Sequence, residues 1–208
     1  MVDEHIFSEK AAEIMAAGRF LYEMGWVPAT AGNFSSRLNH ERMAVTASGK
    51  HKGQLVSEDI LLADMGGRCL TDGGKPSAET LLHAVIYRNC PQAGAVLHTH
   101  SVGATVLSRM LVPSEDLVLH GYEMQKALSG NRSHEEEERV PVFANTQDMS
   151  ILSEEVEVVL KSGAPLHGFL IQGHGLYTWG VDMIEARRHI EAFEFLFHCE
   201  LESRRVRS

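Results

Sequence analysis

Apolar side chains recur along this chain with two alternating periods, about 3.6 and 2 residues, which predict helices and strands respectively. Ile14, Met15, Gly18 and Leu21 share one helical face, so a first helix is expected from an N-cap at Ser8 to about residue 24, with Gly25 able to stop it. A turn-rich stretch over 28–33 runs into a strand at 34–38, and a second short strand at 43–46 leads into the small-residue loop 47–53. Residues 60–63 read as a strand followed by the turn Met65-Gly-Gly-Arg68. Lys75-Pro-Ser-Ala-Glu-Thr80 opens a helix, with Ser77 as N-cap and Glu79 in the first turn, where the helix dipole favours an anion. That helix carries Leu81, Leu82, Val85 and Ile86 and must end before Pro91. A buried strand over 93–102, a helix over 102–111, an apolar segment at 117–120 and a short helical turn within 122–128 follow. Pro141 lacks an N–H, so the strand at 140–143 is expected at a sheet edge or to place proline first. Asp148 or Ser150 caps a helix bearing Leu152, Val156 and Val159, and strands at 168–172 and 176–179 flank Gly173-His174-Gly175. Met183, Ala186, Ile190, Phe193, Phe197 and Leu201 form the stripe of a last helix over 182–205.

Helices and strands intermix with no repeat and no linker, which predicts one α/β domain over 1–208 with helices covering a central sheet. Several strand connections are short enough for antiparallel pairing. Of 208 residues, 44% are hydrophobic and 23% charged, ordinary for a globular domain with a full core. The net charge of -9 argues against nucleic acid as a partner. The absence of an apolar run of about 18 residues argues against a membrane span. Met-Val-Asp-Glu-His at the start has no secretory pattern, and Cys69, Cys90 and Cys199 are odd in number and far apart; a cytoplasmic protein with reduced thiols is expected. The carboxylate run Glu135–Glu138 reads as a solvated surface.

Candidate chemistry begins at Val96-Leu-His-Thr-His100. On a strand, residues two apart face the same way, so His98 and His100 look into one space, and neutral imidazole is a common ligand of divalent metals. A catalytic zinc site needs a third ligand from elsewhere, and His174 between two glycines can supply it; a plain tight turn explains the same residues. Glu79 is open between a fourth ligand, a partner of the ligands and a favourable first-turn carboxylate. Thr30-Ala-Gly-Asn33, Thr46-Ala-Ser-Gly-Lys50 and the helix start at Ser77 are three potential anion nests, which together suggest a phosphorylated substrate. Glu123, in a polar insertion between apolar segments, is a candidate proton carrier, with His120 as its competitor; a surface glutamate at a helix start is the simpler reading of that position from the residues alone. The cysteines and His5, His40, His134, His167, His189 and His198 are read as structural or surface residues.

Four ordered motifs, TAGNFS (30–35), KPSAET (75–80), VLHTHS (96–101) and GHGLYTWG (173–180), resemble the class II aldolase and adducin-head superfamily across nearly the whole chain. The resemblance implies a three-layer αβα sandwich around a central mixed, largely antiparallel sheet. It implies one Zn2+ per subunit held by His98, His100 and His174, with Glu79 as a candidate further ligand. The substrate phosphate would fall to Gly32, Asn33, Ser48, Gly49 and Ser77. VTASGKHK (45–52), GYEMQKALSG (121–130) and EARRHIEAFEFLFH (185–198) are similar to the superfamily's dehydratases, which act on a methylthio-substituted ketose phosphate in methionine salvage. There Glu123 matches the acid/base residue. Ala78, where the aldolases carry a second serine, argues against the rival reading of an aldolase or 4-epimerase on a fuculose or ribulose phosphate. A non-catalytic module like the adducin head is the other alternative, disfavoured because all three histidines and the phosphate loops are present. The resemblance also implies a homotetramer with active sites at subunit junctions.

Overall fold

The computed structural model describes residues 3–207, with side chains to 206; the first two residues of the N-terminal stretch read for a leader lie outside the described residues. In chain order the elements are α1 (Glu4–Glu23), β1 (Asn33–Arg37), β2 (Arg42–Thr46), β3 (Ile60–Asp64), α2 (Thr80–Asn89), β4 (Ala95–Thr99) and α3 (Val102–Arg109). Then come β5 (Asp116–Leu119), β6 (Glu138–Phe143), α4 (Met149–Lys161), β7 (Gly168–Ile171), β8 (Gly175–Gly180) and α5 (Met183–Arg207). The strands form one sheet in the order β3-β2-β1-β4-β8-β7-β6-β5. Only β6 and β7 run parallel; every other neighbouring pair is antiparallel.

Strand alternation sorts the core into two halves. Val96 of β4 joins Met43 and Val45 of β2 and Tyr177 and Trp179 of β8 under Leu82, Val85 and Ile86 of α2 and Leu152 and Val156 of α4. Ala95 and Leu97, one residue either side, face Ile14 and Leu21 of α1, Leu107 of α3 and Ile190, Phe193 and Phe197 of α5. The sheet is therefore the middle of three layers, as expected. By the same alternation His98 lies on the α2 face and Thr99 on the α5 face. Among the described residues no helix is long and apolar enough to cross a membrane.

Four local expectations need correction. The first helix begins at Glu4 rather than after Ser8, because Asp3 caps it by accepting from the His5 N–H at 2.9 Å. Glu79 is the N-cap of α2 rather than part of its first turn, and Ser77 stands two residues earlier, its Oγ accepting from the Glu79 N–H at 3.3 Å. The strand holding Pro141 is not an edge, since β5 lies outside it; pairing with β7 begins only at Val142, so the missing proline N–H breaks no ladder there. Finally, Glu138 leaves the solvated carboxylate run: it is 3% exposed, accepts from Asn131 at 3.0 Å and pairs with the partly buried His167 at 3.0 Å.

Glu194 of α5 gives the fold a pH dependence. Its carboxyl is buried beside Thr99 and Ser101, Oε1 has no hydrogen-bond partner, and burial pushes its pKa up to about 7. A carboxyl with a raised folded pKa is fully tolerated below its unfolded value. Stability then falls as pH rises through the window from the ordinary carboxylate range to about 7. Glu194→Gln should flatten that fall, and above pH 7 should be the more stable protein by on the order of 2 kcal/mol. Urea unfolding of both proteins at pH 5 and pH 8 checks this; parallel curves would exclude a buried, raised carboxyl.

Candidate active site

Three chain segments meet at the C-terminal end of β4 and bring the candidate ligands together. His98 is fully buried, its ring stacked on Tyr177 with centroids 3.9 Å apart and planes 12° apart. Its Nδ1 lies 2.9 Å from the Leu176 carbonyl, which can only accept, so Nδ1 holds the proton and Nε2 presents a lone pair. His100 stands one residue beyond the strand, anchored by its backbone N–H to the Trp26 carbonyl at 2.8 Å. His174 sits in the β7–β8 turn. Gly173 takes φ 64°, and a Cβ on Gly175 would stand 1.9 Å from the Thr99 carbonyl oxygen, so glycine on both sides lets this turn press against the end of β4. From α3, Ser108 Oγ accepts from the Gly173 N–H at 2.9 Å and Thr105 Oγ1 donates to the His174 carbonyl at 2.9 Å.

The three Nε2 atoms converge, with separations of 2.7 Å (His98–His100), 3.0 Å (His100–His174) and 3.4 Å (His98–His174). Burial holds all three imidazoles below the ordinary histidine pKa, His98 well below and His100 at about 4. Neutral rings with lone pairs aimed at one point repel each other unless a cation lies between them. Imidazole nitrogens sharing one tetrahedral ion at about 2.0–2.1 Å sit roughly 3.3 Å apart, close to the spread seen. The cluster could hold a metal ion, and Glu79 stands beside it with Oε1 3.2 Å from His174 Nε2 and Oε2 3.7 Å from His98 Nε2.

Beside the cluster opens a cavity of about 270 Å³ lined by Thr30, Gly32, Asn33, Ser48, Gly49, Lys52, Ser77, Glu79 and His100. The residues expected to hold phosphate are thus all in one place. Gly32 takes φ 77°, and a Cβ there would come within 2.6 Å of the His98 carbonyl oxygen, so this loop too depends on glycine to reach the cluster. The 47–53 loop is tied to the approach to α2 by the Ser48 N–H, which donates to the Lys75 carbonyl at 2.9 Å.

Lys52 is a lining residue that sequence reasoning missed. It is 1% exposed, and its Nζ donates to the Thr30 carbonyl at 2.9 Å and the Lys50 carbonyl at 2.6 Å, leaving one N–H free. Burial, only partly offset by Glu79 and Asp59, lowers its pKa to about 8. Its only sequence signal was the pair of lysines, Lys50 and Lys52, close together in a small-residue loop. Tyr177, whose buried hydroxyl faces Glu79 and Asn33 without a hydrogen bond of normal geometry, was also not singled out.

Glu123 is not brought to this cavity. It opens a 3-10 helix, Glu123–Ala127, that packs on α5, and it lines a separate hollow with Tyr122, Met124, Phe195 and Cys199. Its side chain is 70% exposed, pairs with Lys126 and lies 3.7 Å from His134; the Lys126 ammonium holds its pKa below the ordinary value. His120 is exposed.

The Class II Aldolase and Adducin N-terminal domain family matches residues 12–201. The methylthioribulose-1-phosphate dehydratase of Marinobacter nauticus is 52% identical over 207 residues, covering all of both chains. That of Pseudomonas aeruginosa is 55% identical over 189 residues, covering 91% of this chain and 92% of its own. Among solved structures, the L-fuculose-1-phosphate aldolase of Thermus thermophilus superposes with a TM-score of 0.75 at 26% identity, covering 97% of this chain and 98% of the other. The sugar-phosphate aldolase of Thermotoga maritima, with a TM-score of 0.71 over 96% of each chain at 19% identity, shares the fold. The chain belongs to the Class II Aldolase and Adducin N-terminal domain family and, within it, to the methylthioribulose-1-phosphate dehydratases.

Proposed function

We propose that the whole chain works as one zinc-dependent hydro-lyase domain that converts 5-methylthioribulose 1-phosphate to 5-methylthio-2,3-dioxopentyl phosphate in cytoplasmic methionine salvage. The observation that carries this reading is the convergence of three neutral Nε2 atoms at the wall of a cavity built from anion-binding loops. His98, His100 and His174 would hold the zinc, which would supply a Lewis acid to polarise a carbonyl and offset charge developing on oxygen. Glu79, against the same cluster, is the candidate fourth ligand.

The backbone N–H groups around Gly32 and Gly49, with Asn33, Ser48 and Ser77, take the phosphate, and Lys52 adds a cation to the lining. This fixes the sugar chain so that its carbonyl end points to the histidines. Water is removed as the C3 proton and the C4 hydroxyl, and the resulting enol ketonises to the dione. Glu123 is the proton carrier. Because it does not line its own chain's cavity, we assign it to the cavity of a neighbouring subunit in a homotetramer. The exposed apolar side chains of Val102, Met110 and Phe195 suit such an assembly.

Turnover of 5-methylthioribulose 1-phosphate should exceed that of fuculose 1-phosphate by about a hundredfold or more in kcat/KM. Equal turnover of the two, or a preference for the fuculose ester, would remove the substrate assignment. Lys52→Met should raise KM for the phosphorylated substrate by about tenfold or more, since a charge-assisted hydrogen bond is worth roughly 1.5–3 kcal/mol. It should also weaken competitive inhibition by inorganic phosphate in step. An unchanged phosphate inhibition constant would make Lys52 a loop tie only.

A further inference from the structure

A buried polar relay leads away from the cluster across the α2 face of the sheet. Asn33 Nδ2 lies 2.5 Å from Glu79 Oε2, and Asn33 Oδ1 meets His83 Nε2. His83 Nδ1 lies 2.7 Å from Ser35 Oγ, which lies 2.9 Å from the Tyr87 hydroxyl. Ser35 and His83 are 0% exposed, Tyr87 1% and Asn33 4%.

Each proton in this relay is assigned by its neighbour. A carboxylate cannot donate, so Asn33 turns its NH2 to Glu79 and its carbonyl to His83. His83 must then donate from Nε2, which leaves Nδ1 bare. The Ser35 hydroxyl must donate to that nitrogen, and Ser35 Oγ in turn accepts from Tyr87. Every donor points towards Glu79. His83 is suited to this as a neutral ring, since burial lowers its pKa to about 3. Tyr177 packs its ring edge-on to His83, with centroids 5.7 Å apart and planes at 76°, and stacks on His98, so one aromatic locks both rings.

We infer that His83 is a positioning residue: through the Asn33 amide it holds the Glu79 carboxylate at the histidine cluster. The inference rests on the reading of that cluster as the active centre. Without His83 the Asn33 carbonyl loses its buried donor, the amide is free to turn, and its oxygen would then face the carboxylate.

The test uses the full chain. In the zinc-free protein at neutral pH, nitrogen-15 spectra should show His83 protonated at Nε2 alone, and an Asn33 side-chain N–H shifted strongly downfield by the carboxylate. The Asn33 signature should weaken in His83→Phe, and both signatures should weaken in Ser35→Ala, which releases the far end of the relay and serves if His83→Phe does not fold. With zinc loaded, His83→Phe should lose about ten- to hundredfold in kcat with KM changed little, as for other partners that orient a metal site. His83→Gln, which restores an N–H towards Asn33, should recover most of that loss. A proton on Nδ1 of His83, or an Asn33 N–H unmoved by both substitutions, would overturn the inference, as would His83→Phe with wild-type kcat. If the wild-type protein dehydrates nothing, the functional reading fails by itself and the spectra still decide for or against His83.

Discussion

His98→Ala should cost the protein its metal and its activity together. Wild-type protein is expected to bind about one zinc per chain, and the variant close to none, because His98 is the buried member of the trio with its tautomer fixed by the Leu176 carbonyl. Lewis-acid polarisation is worth several kcal/mol, and about 1.4 kcal/mol is a decade in rate, so kcat/KM should fall on the order of a thousandfold or more. Metal analysis after dialysis, alongside the rate, separates this from a folding defect. A variant that keeps a full equivalent of zinc and its activity would remove His98 from the centre.

Glu123→Gln should lower kcat by about a hundred- to ten-thousandfold, the range for loss of a general acid or base, while zinc content stays at the wild-type level. The sharper version mixes the two defects. In hybrids of Glu123→Gln and His98→Ala chains, a site made of intact histidines from one chain and an intact Glu123 from the next would work. Random assembly makes roughly a quarter of sites of this kind, so activity should rise well above either parent. If Glu123 serves its own chain, no hybrid site is complete and mixing recovers nothing. Its exposed place in a separate hollow is what sets up this prediction.

Much of the fold was legible because it depends on local period. The two-residue alternation through Val96, His98 and His100 announced which face the histidines share, and the stripe from Met183 to Phe197 announced α5. Gly32 was legible as part of a potential anion nest and Gly175 as a flank of His174, and the structure shows what those two approach, the His98 and Thr99 carbonyls. What escaped depends on contacts between distant segments. Glu138 looked like the last of four solvated carboxylates until His167, from far along the chain, closed over it. Lys52 is buried through its place beside α1, where a Cβ on Gly18 would strike the Lys52 carbonyl, and no property of its own loop predicts that. The Asn33–His83 contact joins β1 to α2 across a sequence gap of 50 residues, so neither residue carried a local sign of the relay. For Glu123, the motif was visible in the sequence, but its place in a separate hollow on α5 depends on packing that the chain's local pattern does not announce.

The most direct test of the account is the product that purified, zinc-loaded protein makes from 5-methylthioribulose 1-phosphate, followed by mass spectrometry and phosphorus-31 spectra. The account predicts a single phosphorylated product lighter by one water, with its carbon chain and methylthio group intact. A triose phosphate, or an epimer of unchanged mass, would contradict it.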